Sequence, residues 1–152
     1  MHAEIGDKGK LFFWNVDAPV GLNGANLFED VLFVQWCFYK LSKWDKIPPD
    51  VQAVFAKTPI NGECTGHEGD LLIASIKALQ QFNVSKGRGG KVDGRVSPAT
   101  GGHYKYQGGS VAFLVFYLNA VLRVMHPQQY PRIDLMPEFV WKIKATAIEP
   151  FI

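Results

Sequence analysis

The side chains of this 152-residue chain best suited to chemistry fall in three places. Cys64 and His67 form a Cys-x-x-His pair, a spacing that can open a zinc site or a thiolate–imidazole couple. A metal site needs more ligands, and His2, His103 and His126 stand far off in sequence. The pair therefore reads first as part of a helix start. Lys86-Gly87-Arg88-Gly89-Gly90-Lys91 has the glycines and cations of a phosphate cradle. It lacks the Walker spacing and the Ser or Thr after its lysine that would hold magnesium, so a solvated basic loop accounts for it. The third place runs from Asp93 and Arg95 to His103, Tyr104, Tyr106 and Gln107. Flat aromatic faces beside fixed hydrogen-bonding groups suit a ligand whose surface alternates C–H patches with hydroxyls and amides. Tyr104 and Tyr106 equally suit anchoring of the loop on the core. Arg95 can clamp a carboxylate bidentately or bond loop carbonyls, and Asp93 reads as a turn former.

No H-E-x-x-H and no G-x-S-x-G occurs, and the acidic residues are scattered, so no hydrolytic constellation is recognisable and no enzyme activity, cofactor or metal is expected. The 16 basic and 14 acidic residues leave +2, too weak a field to argue for nucleic acid. Cys37 and Cys64 are expected as reduced, buried thiols in a chain long enough to fold without a bridge. The most apolar run, residues 111–125, is broken by Asn119 and Arg123 and falls short of the roughly 20 residues a membrane span needs. The first eight residues lack a basic region followed by an apolar stretch. The expectation is a cytoplasmic chain, delivered to any cell envelope by a route other than Sec.

The elements that position these residues read as mainly helical. Leu11-Phe12-Phe13-Trp14-Asn15-Val16 is a short strand or an extended arm, followed by a turn-rich stretch at 19–26 with Gly21 and Gly24. Asn26 stands three residues before Glu29, the spacing of a capping box. Val31, Val34, Phe38 and Leu41 then share one helix face up to Lys43, and Pro48-Pro49 forbids continuation. A short helical turn is expected around Val51, Val54 and Phe55. Thr65 and Glu68 repeat the capping spacing before Leu72, Ile76, Leu79 and Phe82, a second amphipathic helix ending near Asn83. Residues 85–109 hold eight glycines and form the longest irregular segment, a candidate wall for a site. Ser110 is expected to cap a third, central helix through Met125, with His126 complementing its dipole. Around residues 139–145 strand and helix stand at even odds.

Two short turns share one design: Ile60-Asn61-Gly62-Glu63-Cys64-Thr65-Gly66 and Val92-Asp93-Gly94-Arg95-Val96-Ser97-Pro98. The order Pro19-Val20-Gly21, Gly24-Ala25-Asn26, Glu29-Asp30-Val31 and Val34-Gln35, then Asn61-Gly62, Ile76, Gln80 and Phe82, then Asp93-Gly94-Arg95-Val96-Ser97-Pro98 resembles the peptidoglycan-binding-domain-like family. The likeness is to its "VGxGxxNxxxDVxxVQ … DGRVxP" variety, and Leu118-Asn119 matches the family's closing pair. It covers residues 19–120. Asn61 replaces the usual Asp, the second turn runs on through residues 99–106, and residues 121–152 extend beyond the family's form.

The resemblance implies a compact three-helix bundle with an internal pseudo-repeat, here with a long Gly-rich loop and a C-terminal extension in a single domain. It also implies non-catalytic attachment to bacterial cell-wall peptidoglycan, glycan or stem peptide, in a groove bordered by residues 61–66 and 93–106. On that reading the ligand-binding residues are Asn61, Asp93, Arg95, His103, Tyr104 and Tyr106, with Arg95 holding a stem-peptide carboxylate. A second reading makes the same groove or the aromatic tail a docking site for a protein, such as a secreted effector or a component of a contact-dependent secretion apparatus. A small wall hydrolase is the third.

Overall fold

The computed structural model describes residues 1–6, 11–88, 90–100 and 113–152. His103, Tyr104, Tyr106 and Gln107, together with the expected Ser110 cap, lie outside the described residues.

The helix α1 (Phe28–Leu41) organises the core: 11 of its 14 residues are buried, among them Phe33, Trp36 and Phe38. A helix apolar on nearly every side must be surrounded. Helix α2 (Pro49–Ala56) packs against α1 and against α3 (Leu71–Ser85), with Phe38 and Phe55 5.0 Å apart between ring centres. Helix α4 (Leu114–Met125) buries one stripe and leaves Val124 exposed. The central helix is therefore α1, not the segment ending at Met125 that the sequence had favoured. Its interior position explains the buried Asp30, which accepts from the backbone N–H groups of Asp17 (3.0 Å) and Ala18 (3.0 Å).

Strand β1 (His2–Gly6) pairs antiparallel with β2 (Leu11–Asn15), and β3 (Val20–Gly21) with β4 (Arg95–Val96). The second ladder ties the turn-rich stretch 19–26 to the second Asx-Gly turn. Beyond α4 the chain turns through short 3-10 segments at Ile133–Leu135 and Trp141–Ile143 into α5 (Lys144–Ile148), so the tail is helical rather than a strand. Five α-helices and two small antiparallel sheets among the described residues make a mixed α/β fold. This corrects the expected three-helix bundle. The aromatic segment at 11–15 closes a ladder instead of lying as an arm, and residues of the C-terminal extension, Ile133, Met136, Ile143 and Ala147, enter the core.

Two expected caps are also corrected. Asn26 has φ +51° and spends its side chain inside the loop, so α1 starts at Phe28 with Leu27 as an N-cap that makes no side-chain bond. At α3 the cap is Asp70, whose carboxylate accepts from the N–H groups of Leu72 and Ile73, and Thr65 instead donates its own N–H to that carboxylate at 2.9 Å.

Strand β2 is clamped to α4 by Asn119. Its Oδ1 accepts from Trp14 N and from the Tyr130 hydroxyl, and its Nδ2 donates to the carbonyls of Trp14 and Val115. All polar atoms of this buried amide are thereby satisfied.

Candidate functional site

Gln35, buried on α1, holds the first Asx-Gly turn. Its Oε1 accepts from the backbone N–H groups of Asn61 (2.9 Å) and Gly62 (2.8 Å), while Nε2 donates to Asn61 Oδ1 (3.0 Å) and the Glu63 carbonyl (3.1 Å). Gln80 on α3 holds the second turn in the same manner. Its Oε1 accepts from Gly94 N (2.9 Å), and Nε2 donates to Asp93 Oδ1 (2.8 Å) and the Arg95 carbonyl (3.1 Å). In both turns the Asx Oδ1 also accepts from the N–H two residues on, Glu63 at 2.9 Å and Arg95 at 3.0 Å. Gly62 and Gly94 sit at φ +76° and +71°, a conformation that costs glycine little and other residues more. Two helices thus carry the same clasp.

The stretch 19–26 joins the two clasps. Leu22 N donates to the Gly94 carbonyl (3.0 Å) and Asn23 N to the Gly66 carbonyl (2.8 Å). Asn26 shapes this connector: its Oδ1 accepts from Gly21 N (2.7 Å) and its Nδ2 donates to the carbonyls of Gly21 (3.1 Å) and Gly24 (3.0 Å). The Gly21 backbone lies so close to the second turn that a Cβ there would stand 2.1 Å from the Gly94 carbonyl oxygen.

Beside the first clasp opens a groove of about 600 Å³, walled by the turn at 59–65 and the start of α3. Asn26, Gln35, Asn61, Glu63, Thr65 and Asp70 supply its polar lining. Leu71 lines it and is half exposed, and the Phe28 ring, also half exposed, lies against Gly62 of the same turn. Fixed amides and carboxylates beside apolar faces are what a ligand mixing C–H patches with amides and hydroxyls requires.

Of the expected site residues, Asn61 lines this groove, with its Oδ1 committed to the turn. Asp93 spends its Oδ1 on Gln80 and on the Arg95 amide, which makes it a turn former first. The Arg95 guanidinium has no hydrogen bond or ion pair among the described residues, so it does not bond described loop carbonyls. Asp93 and Arg95 do not line the groove; they stand across the 19–26 connector from it. Glu63 and Thr65 fall within the expected border at residues 61–66, whereas Asp70 and Leu71 were missed, as was Asn26 in its loop-shaping role. The two glutamines stood in the sequence only within the motif order that carries the family resemblance.

No family model, curated protein or solved structure matches the chain.

Cys64 also lines the groove and is half-buried, whereas Cys37 is fully buried; both are free thiols. Burial pushes the Cys64 thiol up, and the nearby Asp70 carboxylate adds to the rise, so at neutral pH it holds its proton, the form that neither attacks nor ligates. His67 is exposed and its N–H donates to Thr65 Oγ1 (3.2 Å). Burial works to raise the Asp70 carboxyl, but the amides of Thr65, Leu72 and Ile73 outweigh it and hold the group below its ordinary range. No group of three potential metal ligands occurs among the described residues, and no described helix is long and apolar enough to cross a membrane.

Proposed function

We propose that this chain binds bacterial peptidoglycan without catalysing its turnover. The groove beside the Asn61–Gly62 turn takes glycan or stem peptide, and Arg95 offers a cation for a peptide carboxylate on the far side of the connector. The observation that carries the reading is the duplicated clasp, Gln35 on Asn61-Gly62 and Gln80 on Asp93-Gly94, because an internal repeat of helix plus Asx-Gly turn is what the motif resemblance implies. The guanidinium of Arg95, which has no partner among the described residues, and the polar groove with its apolar edge support it. The test is co-sedimentation with isolated sacculi over a salt titration. Saturable binding that survives salt and weakens in Arg95→Ala, Phe28→Ala and Tyr104→Ala supports the reading; no sedimentation above background refutes it.

A second reading, docking of a protein partner, is favoured by Trp141, which is 75% exposed, with the Lys142 ammonium 5.9 Å from its ring centre and 5.7 Å from that of Phe28. Phe13 and Trp14, by contrast, are buried and offer nothing to a partner.

A further inference from the structure

The basic stretch that follows α3 does not simply face solvent. Arg88 is half-buried between two aromatic rings, its guanidinium carbon 5.5 Å from the centre of Phe82 and 5.5 Å from that of Tyr117. The Lys86 ammonium lies 5.7 Å from the Phe82 ring centre. Arg88 lines a cavity of about 190 Å³ between the ends of α3 and α4, together with Lys46, Trp44, Phe82, Tyr117 and Val121. That room is slightly larger than the roughly 150 Å³ that holds a benzene molecule in a dry apolar cavity, so one aromatic or branched aliphatic group fits it.

The charges at this cavity are of one sign. Arg88, Lys86 and Lys46 have no acidic partner among the described residues, and Asp45, next to Lys46 in sequence, pairs with none of them. Of the five N–H donors of a guanidinium, Arg88 uses one among the described residues, on Asn83 Oδ1 at 3.2 Å. The two neighbouring rings hold the group, and its other N–H groups make no hydrogen bond among the described residues, which leaves donors for a bidentate acceptor.

We propose that this cavity is a second ligand site, for a carboxylate carried on one apolar group. Arg88 receives the carboxylate, Lys46 adds attraction at long range, and Trp44, Phe82, Tyr117 and Val121 enclose the apolar group. The same chemistry is offered by a free aryl or alkyl carboxylic acid and by the C-terminal residue of a peptide.

Titration of the isotope-labelled full chain, followed by NMR, tests this. The probes are 3-phenylpropanoate, its neutral amide, the tripeptide Gly-Gly-Phe and its C-terminal amide. The acids are expected to give saturable shifts at Trp44, Phe82 and Val121, and the amides to bind about tenfold or more weakly, the factor a charge-assisted bidentate contact supplies. Arg88→Gln should weaken the acids by a similar factor. Ala120→Phe, which fills the cavity from a half-exposed position, should abolish binding and serves as an independent check if Arg88→Gln unfolds. Tighter binding of Gly-Gly-Phe than of 3-phenylpropanoate would assign the site to peptide C-termini, and the reverse order to free acids. Amides that bind as well as acids, or acids that leave the cavity residues unshifted at millimolar concentration, would overturn the proposal.

Discussion

Gln35 and Gln80 are buried amides whose every hydrogen-bonding atom is engaged by a turn, so each turn depends on one side chain from a distant helix. Gln35→Ala strands the Asn61 and Gly62 amides and is expected to cost about 2–3 kcal/mol, since an unsatisfied buried group costs about 1–3 kcal/mol; urea unfolding at constant m-value measures it. His126 gives a prediction of a different kind. Burial, aided by the Lys40 charge, pushes its imidazole below the ordinary value, and its buried Nε2 has no partner among the described residues. The sequence assigned it a charge that complements the α4 dipole; packing favours the neutral ring instead. A histidine depressed in the folded state contributes stability above its unfolded value of about 6.5 and loses it as pH falls below that value. Stability should decline between neutral pH and pH 5, and His126→Gln should flatten that part of the profile.

The elements show what a sequence reveals and what it hides. The interiors of α1, α3 and α4 were legible because apolar residues recur at helical spacing. Their starts were not, because Asn26 and Thr65 have the right chemistry for caps but find nearer backbone partners in loops. β1 carries no strand signal of its own in His2-Ala3-Glu4-Ile5-Gly6 and forms because β2 offers it a ladder. At the site, the Asx-Gly turns were visible in their residue types, whereas Phe28 meets Gly62 only through long-range packing, and Asp70 joins the groove because its carboxylate caps α3 and takes the Thr65 amide. Two substitutions test the elements. Asp70→Ala should destabilise by about 1 kcal/mol, the ordinary worth of an N-cap. Because the Asp70 carboxyl is held below its ordinary range, that contribution should vanish as pH falls through its folded value. Asn119→Leu removes both bonds between β2 and the α4 side chain and should cost about 2–4 kcal/mol in the same denaturant experiment, since it strands the buried N–H and carbonyl of Trp14, while the Tyr130 hydroxyl keeps the Phe12 carbonyl.

Across the whole molecule, the residues beyond the family-like stretch are part of the core. Trp36 Nε1 donates to the Glu138 carbonyl (2.9 Å), Lys40 Nζ to the Pro137 carbonyl (3.2 Å), and Ile133, Met136, Ile143 and Ala147 are buried with α1. Trp36 and Phe139 meet edge to face at 5.1 Å. Removing residues 127–152 uncovers the central helix, so the shortened chain should lose cooperative thermal unfolding, read by circular dichroism. The central claim is that the groove beside the first clasp is a wall-ligand site. Its most direct test is a titration of labelled protein with soluble muropeptides prepared from sacculi, followed residue by residue by NMR. The account predicts saturable shifts at residues 59–65 and 70–72 that disappear in Asn61→Ala or Phe28→Ala protein that remains folded. Shifts confined to other surfaces, or none at millimolar ligand, would contradict it.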